Sequence, residues 1–322
     1  MYYGGLLDNL NEPAADSYEK LRLMGATCVG TQWTAGTKHR SHVYQRLEEI
    51  AKFFYILRVG GHRQTVMEWL KDYDAAIEHV PDDAFDFDLG RIVATVGNEP
   101  NLEGWKNDPE GYGHFYREVH KVLVSPQPLF AVPSMGKPGW EDYLRRSLAA
   151  AGKIDALAVN VYGGGVRLLW KVKEIAPDIP IYITEINVDP GWPQSTQPGY
   201  KEKWLGEVGF PAVASLGAKA ALAFILGGQS NGDWWDGYKI DKNYAHLMRY
   251  VSKEEEQEVP YEFKFGFKTL HDDNPKIVGE PLTDLLYDAA GNAYQGTTKG
   301  MLFWAKGSPI GPQFFKAALP LA

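Results

Sequence analysis

Residues 91–101 read RIVATVGNEPN, a strand-length run of apolar and β-branched residues that stops at Gly97 and delivers an amide, a carboxylate and a proline, Asn98-Glu99-Pro100. The same pattern recurs on both sides of it. Apolar runs fall at 2–7, 26–33, 54–60, 129–134, 154–162 (IDALAVNVY), 179–186 (IPIYITEI) and 219–226 (KAALAFIL). Helix-length amphipathic segments separate them, at 14–24, 41–53, 64–79, 112–124, 140–151, 166–176 and 201–216, with a last candidate at 244–255. Strands that are apolar throughout and alternate with helices imply a parallel sheet covered by helices, and eight is the number that closes. The expected fold is therefore an α/β (β/α)8 TIM barrel over 1–258 with a short β-rich C-terminal extension over 259–322. An open doubly wound sheet would put a glycine-rich phosphate turn after its first strand, but residues 8–13 read DNLNEP. The glycine cluster Gly163–Gly165 follows the sixth run and lacks the dinucleotide spacing.

Composition narrows the function classes. The chain has 322 residues, 44% hydrophobic and 23% charged, an ordinary globular balance. Lys and Arg number 33 against 41 Asp and Glu, so the net charge of −8 argues against nucleic acid as a partner. No stretch reaches the roughly 20 apolar residues of a membrane span. The lone Cys28 excludes an intrachain disulfide and reads as a buried small hydrophobe. Met1 runs into YYGGLLDNL without the basic and apolar regions of a signal peptide. Aromatic residues reach 13%, and Trp33, Trp105, Trp140, Trp192, Trp234 and Trp235 sit beside polar residues, as suits a sugar with an apolar face and a hydroxyl rim.

In barrels of this kind the active site lies at the C-terminal ends of the strands. Those ends carry Asp8 and Asn9; Gln32 and Trp33; Arg58 and His62; Asn98 and Glu99; Ser134; Asn160 and Tyr162; Glu185 and Asn187; and Gln229 and Asn231, with Trp234 and Trp235 just beyond. Glu99 ends the fourth run and Glu185 the seventh, across the mouth from each other. Two carboxyl groups over one cavity suit glycosidic bond cleavage, in which one donates a proton to the leaving oxygen and the other attacks the anomeric carbon.

Asn98-Glu99-Pro100 after the fourth strand and Thr184-Glu185 in the seventh resemble the signature of the clan A glycoside hydrolases, the 4/7 retaining barrel superfamily, over residues 1–255. The resemblance implies that Glu99 is the general acid/base and Glu185 the nucleophile. It implies that Asn98 bonds a sugar 2-hydroxyl, that Tyr162 orients the nucleophile, and that Trp234 or Trp235 forms a subsite floor. Arg58 would support Glu185, from the third strand where the family's arginine is on the second. Trp33, His62 and Asn160 are expected to bind the substrate as well. The expected substrate is a β-linked oligo- or polysaccharide, with no metal and no organic cofactor, and an extracellular or cell-surface location.

Other readings stand beside this one. Asn11-Glu12-Pro13 is a second copy of the tripeptide, read as a loop and helix entry. PDDAFDFD at 81–88 lacks the central glycine and terminal glutamate of a calcium loop. His39 and His42 have no carboxylate or cysteine nearby to share a metal. A glycan-binding barrel of a cell or virion surface would bind without cleaving, and a phosphate-binding barrel would use Gly227-Gly228. The segment 279–304 faintly resembles short repeats of bacterial wall-associated proteins, which implies polymer tethering, and DAAGN at 288–292 reads as a hairpin turn.

Overall fold

The computed structural model of the chain describes residues 1–7, 16–32, 41–60, 63–78, 80–85, 91–123, 127–189, 191–226, 238–250, 265–281, 285–288, 291–297, 299–307 and 311–316. Eight parallel strands form a closed barrel in chain order. They are β1 (Tyr2–Leu7), β2 (Cys28–Gln32), β3 (Phe54–Val59), β4 (Ile92–Val96), β5 (Gln127–Ala131), β6 (Ala156–Tyr162), β7 (Ile181–Asn187) and β8 (Ala220–Ala223). Closure comes from β8 pairing with β1, Tyr2 opposite Ala220 through Gly5 opposite Ala223. Between the strands run α1 (Ser17–Met24), α2 (Ser41–Ile50), α3 (Val66–Ile77), α4 (Pro109–Val122), α5 (Trp140–Ala151) and α6 (Leu169–Ile175). The barrel expected from the alternation of strand and helix is the barrel observed.

Local chemistry modifies three helices. The segment before α6 is a 3-10 turn, Gly163–Leu168. The helix expected over 201–216 is broken into α7 (Tyr200–Trp204), a π-turn (Leu205–Gly209) and α8 (Phe210–Ser215). Pro211 has no N–H to give the carbonyl four residues back, so the ladder widens ahead of it. Of the helix expected at 244–255, the described part is a 3-10 segment, Lys242–Met248, which buries Ala245 and Met248, and residues 251–255 lie outside the described residues. Three residues apart, those two side chains share one edge at the 3-10 period.

The strands sort their side chains by parity. On β3, Tyr55, Leu57 and Val59 belong to the core under the helices, while Phe54 and Ile56 belong to the separate core inside the barrel. That interior also holds Cys28, Val93, Leu129, Ala156, Ala158, Ala220 and Leu222. Its lower end carries a stack of Tyr2 on Phe54 (4.8 Å) and Phe54 on Tyr182 (5.9 Å). Gly30 is required inside, because a Cβ there would lie 2.2 Å from the Leu222 Cδ1 atom. Each fully buried aliphatic side chain in this layer contributes roughly 1.5–3 kcal/mol. Two residues further along β3, β4, β6 and β7 the same face turns polar: Arg58 after Ile56, Thr95 after Val93, Asn160 after Ala158 and Thr184 after Tyr182. The apolar layer stabilises the barrel from below, and the polar layer above it makes the mouth.

The C-terminal extension contains α9 (Phe265–Asp273), α10 (Pro275–Val278) and an antiparallel sheet in the order β12-β11-β10-β9. Its strands are β9 (Leu286–Tyr287), β10 (Ala293–Thr297), β11 (Gly300–Trp304) and β12 (Gln313–Lys316). β9 and β10 pair antiparallel, and the Asp288 N–H donates to the Asn292 carbonyl; Ala289 and Ala290 of the turn expected at DAAGN lie outside the described residues. Phe267, Val278, Ala293 and Leu302 form a small core of their own. Tyr294 packs against the barrel's outer core.

Candidate active site at the barrel mouth

Glu185 reaches the mouth because β7 contains one extra residue. Val159 of β6 faces Ile183, yet Asn160 faces Glu185, and on the other side Ile183 faces Ala221 while Ile186 faces Ala223. Ile181 and Ile183 point to the helices, and so do Ile186 and Val188. Simple alternation from Ile183 would have sent Glu185 outward. The bulge lets Thr184 and Glu185 both turn inward and then restores the outward phase at Ile186.

The Glu185 carboxylate is 6% exposed and is compensated on both oxygens. Arg58, the polar residue of β3, makes an ion pair of 2.5 Å with Oε1. The Tyr162 hydroxyl donates to Oε2. Burial first, and then the adjacent Glu185 charge, holds that hydroxyl's pKa well above the ordinary tyrosine value, so Tyr162 remains a donor. Its ring is braced by Phe224 (6.0 Å) and Tyr238 (5.3 Å). An ionised carboxylate this deeply buried is tolerable only with such partners.

Glu99 sits just past β4 with φ of 35°, the one residue other than glycine with a positive φ among those described. A side chain in this left-handed region costs about 1–2 kcal/mol. The turn that follows holds it there, with the N–H groups of Leu102 (2.8 Å) and Glu103 (3.1 Å) donating to the Glu99 carbonyl. The Glu99 carboxyl is pushed up from 4.5 to about 7, by burial first and then by the charges of Glu185 and Glu103. A hydrogen bond with Ser134 and the charge of Arg58 oppose the rise. Asn101 clamps Ser134, accepting from its N–H at 2.6 Å and donating to its carbonyl at 3.2 Å. The mouth therefore presents one carboxylate held by a cation and a phenol, and one carboxyl that keeps its proton to near neutrality.

Comparisons by sequence find no match among protein-family models or curated proteins. Comparisons of structure do find matches. A β-mannanase from Streptomyces thermolilacinus aligns with a TM-score of 0.51 at 15% identity, over 76% of this chain and 90% of its own. A subgroup II endo-β-1,3-glucanase of glycoside hydrolase family 128 from Pseudomonas viridiflava aligns with a TM-score of 0.51 at 15% identity, over 78% of this chain and 98% of its own. The fold is the one these barrels share.

Within that fold the structure brings together Arg58, Asn98, Glu99, Asn160, Tyr162 and Glu185. The Asn160 amide donates to the Asn98 Oδ1 atom at 3.0 Å. Trp33, His62, Trp234 and Trp235 lie outside the described residues, as do Asp8, Asn9, Gln229, Asn231, Gly227-Gly228 and the Asn11-Glu12-Pro13 copy. Asn187 is fully buried, and its amide donates to the carbonyls of Phe224 and of Tyr238 (2.8 Å), tying β7 to the segment after β8. Among the tryptophans with polar neighbours, Trp105 and Trp140 are 8% and 7% exposed and join the outer core. Trp140 also borders an open groove of about 380 Å³ with Met135, Lys137 and Leu168, beside Ser134. The strand-end reading missed Thr184, Glu103 and Tyr238. Thr184 left a trace in the sequence: outward isoleucines at 181 and 183 are followed by apolar residues at 186 and 188, a change of parity that only an inserted residue explains.

Proposed function

We propose that the chain is a retaining glycoside hydrolase acting on a β-linked oligo- or polysaccharide, with Glu185 as nucleophile and Glu99 as acid and then base. The observation that carries this reading is the unequal pair of glutamates at one mouth. Glu185 is ion-paired with Arg58, which suits a group that must be ionised to attack. Glu99, raised to about 7, suits a group that must hold a proton to give.

In the first step a Glu185 oxygen attacks the anomeric carbon while the Glu99 proton passes to the leaving glycosidic oxygen. The bond between anomeric carbon and leaving oxygen breaks, and the sugar is left esterified to Glu185. Esterification removes the Glu185 charge, which is one cause of the high Glu99 pKa. Glu99 is then the stronger acid and, ionised, takes a proton from water. That water attacks the anomeric carbon from the face the leaving group vacated, the bond from that carbon to the Glu185 oxygen breaks and frees the Glu185 carboxylate, and the product keeps the β configuration. Retention calls for carboxyl groups roughly 5 Å apart.

The groove at Met135, Lys137 and Trp140 offers room for a further sugar unit beside the mouth. The two barrels named above suggest the first glycans to try, a β-mannan and a β-1,3-glucan. The test is release of reducing ends from such a panel, followed by proton NMR of the first product. A β-anomer appearing first and then mutarotating is the expected result. An α-anomer first would overturn retention. Hydrolysis of no glycan, with binding unaffected by Glu185→Gln and Glu99→Gln, would favour a glycan-binding barrel.

A further inference from the structure

Resting on the hydrolase reading above, we propose that Glu103 is a positioning residue of this site, the anchor of a one-way chain of hydrogen bonds that turns the Asn98 amide toward the sugar. The chain crosses the mouth from β7 to the turn after β4. The Thr184 hydroxyl donates to the Asn160 Oδ1 atom at 2.8 Å. The Asn160 Nδ2 atom donates to the Asn98 Oδ1 atom at 3.0 Å. The Asn98 Nδ2 atom donates to the Glu103 Oε1 atom at 2.9 Å.

A primary amide can present either end to a neighbour, so two amides in series have no direction of their own. The terminal carboxylate supplies it. An ionised carboxylate only accepts, so Asn98 must turn its NH2 toward Glu103 and its oxygen toward Asn160. Asn160 must then offer its NH2, which leaves its oxygen for a donor on β7. Thr184 is that donor because the bulge turns it inward beside Glu185. With one N–H on Glu103 and its oxygen on Asn160, Asn98 has an N–H left to give. It meets a sugar hydroxyl as a donor.

Glu103 also belongs to the turn that holds the acid, since its own N–H donates to the Glu99 carbonyl. Its charge acts on the Glu99 carboxyl in the same direction as burial and Glu185. The opposing groups are Ser134 and Arg58, and among the described residues the other titratable groups facing Glu99 are Tyr162 and Tyr238. Removing Glu103 therefore has two separable effects, one on the orientation of Asn98 and one on the acid.

The experiment uses the full chain with 13C-labelled glutamate carboxyls, as wild type, Glu103→Gln and Glu103→Leu. Glu103→Gln removes the charge in a nearly isosteric side chain. The Glu99 titration midpoint is expected to fall by roughly half a pH unit. An unchanged midpoint overturns the coupling, and this arm needs no substrate. The second arm uses a 4-nitrophenyl β-glycoside that the wild type hydrolyses, and its 2-deoxy analogue. Glu103→Leu is expected to lose about tenfold in kcat/KM on the glycoside and little on the analogue. Equal losses on both would make Glu103 merely structural. If the wild type hydrolyses nothing, the hydrolase reading has failed while the titration still tests the link from Glu103 to Glu99. If Glu103→Leu does not fold, Glu103→Gln decides.

Discussion

Glu99→Gln is expected to abolish acid catalysis and, above neutral pH, to make the protein more stable. In the folded chain the carboxyl holds its proton to about 7, against 4.5 ordinarily. A raised carboxyl contributes its full share of stability below its unfolded value and loses it as pH rises through the folded one. Below pH 4.5 both states are protonated, and the variant and wild type melt together. Between 4.5 and about 7 the unfolded wild type releases a proton that the native state keeps, so the wild type weakens. Above that, the native state carries an ionised Glu99 that is buried and faces Glu185. The cost there is about 3 kcal/mol at 1.36 kcal/mol per pH unit. Glutamine has nothing to ionise and retains an oxygen for Ser134. For a chain of this size about 3 kcal/mol corresponds to roughly 5 °C in melting temperature. The assay is a pair of calorimetric melts at steps from pH 4 to 9. A gap between the two proteins that opens from pH 4.5 to about 7 and stays constant above it supports the argument. A gap constant with pH, or a variant that melts lower at pH 8, would refute it.

Other perturbations follow from the same contacts. Arg58→Met leaves the Glu185 carboxylate buried without its cation, and urea titration should register a loss of about 3–5 kcal/mol; a loss under about 1 kcal/mol would show the ion pair to be incidental. Tyr162→Phe removes one donor to Glu185 and keeps the ring between Phe224 and Tyr238, so kcat should fall about 10–100-fold, and stability by the roughly 1–3 kcal/mol that an unpaired buried oxygen costs. An unchanged kcat would remove Tyr162 from the mechanism. Gly30→Val pushes side-chain carbons into Leu222 and Leu6 inside the barrel, and denaturant melts should show a loss of about 1–3 kcal/mol; no loss would mean the interior is less tightly packed than described.

The barrel was legible because each strand is a short apolar run whose two faces are both buried, a pattern that survives without knowledge of the neighbours. The identity of the strand-end residues was legible for the same reason, since parity along β3 and β6 alone carries Arg58, Asn160 and Tyr162 to the inside. Parity along β7 does not carry Glu185 there. The bulge at Thr184 does, and a bulge depends on pairing with β6 and β8 as well as on local preference. The fate of the tryptophans was hidden too: Trp105 and Trp140 have polar neighbours in sequence but apolar ones in space, the outer core. The broken helix around Pro211 and the 3-10 segment at Lys242–Met248 reflect a missing donor and a three-residue spacing, both readable only once the partners were known. Glu103 was invisible because its role lies in hydrogen-bond direction, which no spacing encodes.

The central claim is that Glu99 and Glu185 flank one glycosidic bond, with Glu185 forming the covalent link. The direct measurement is inactivation of the full chain by a 2-deoxy-2-fluoro-β-glycoside, followed by mass mapping of the labelled peptide. The account predicts one sugar per chain, esterified to Glu185. A label on another carboxylate, or turnover of the parent glycoside with no label at all, would contradict it.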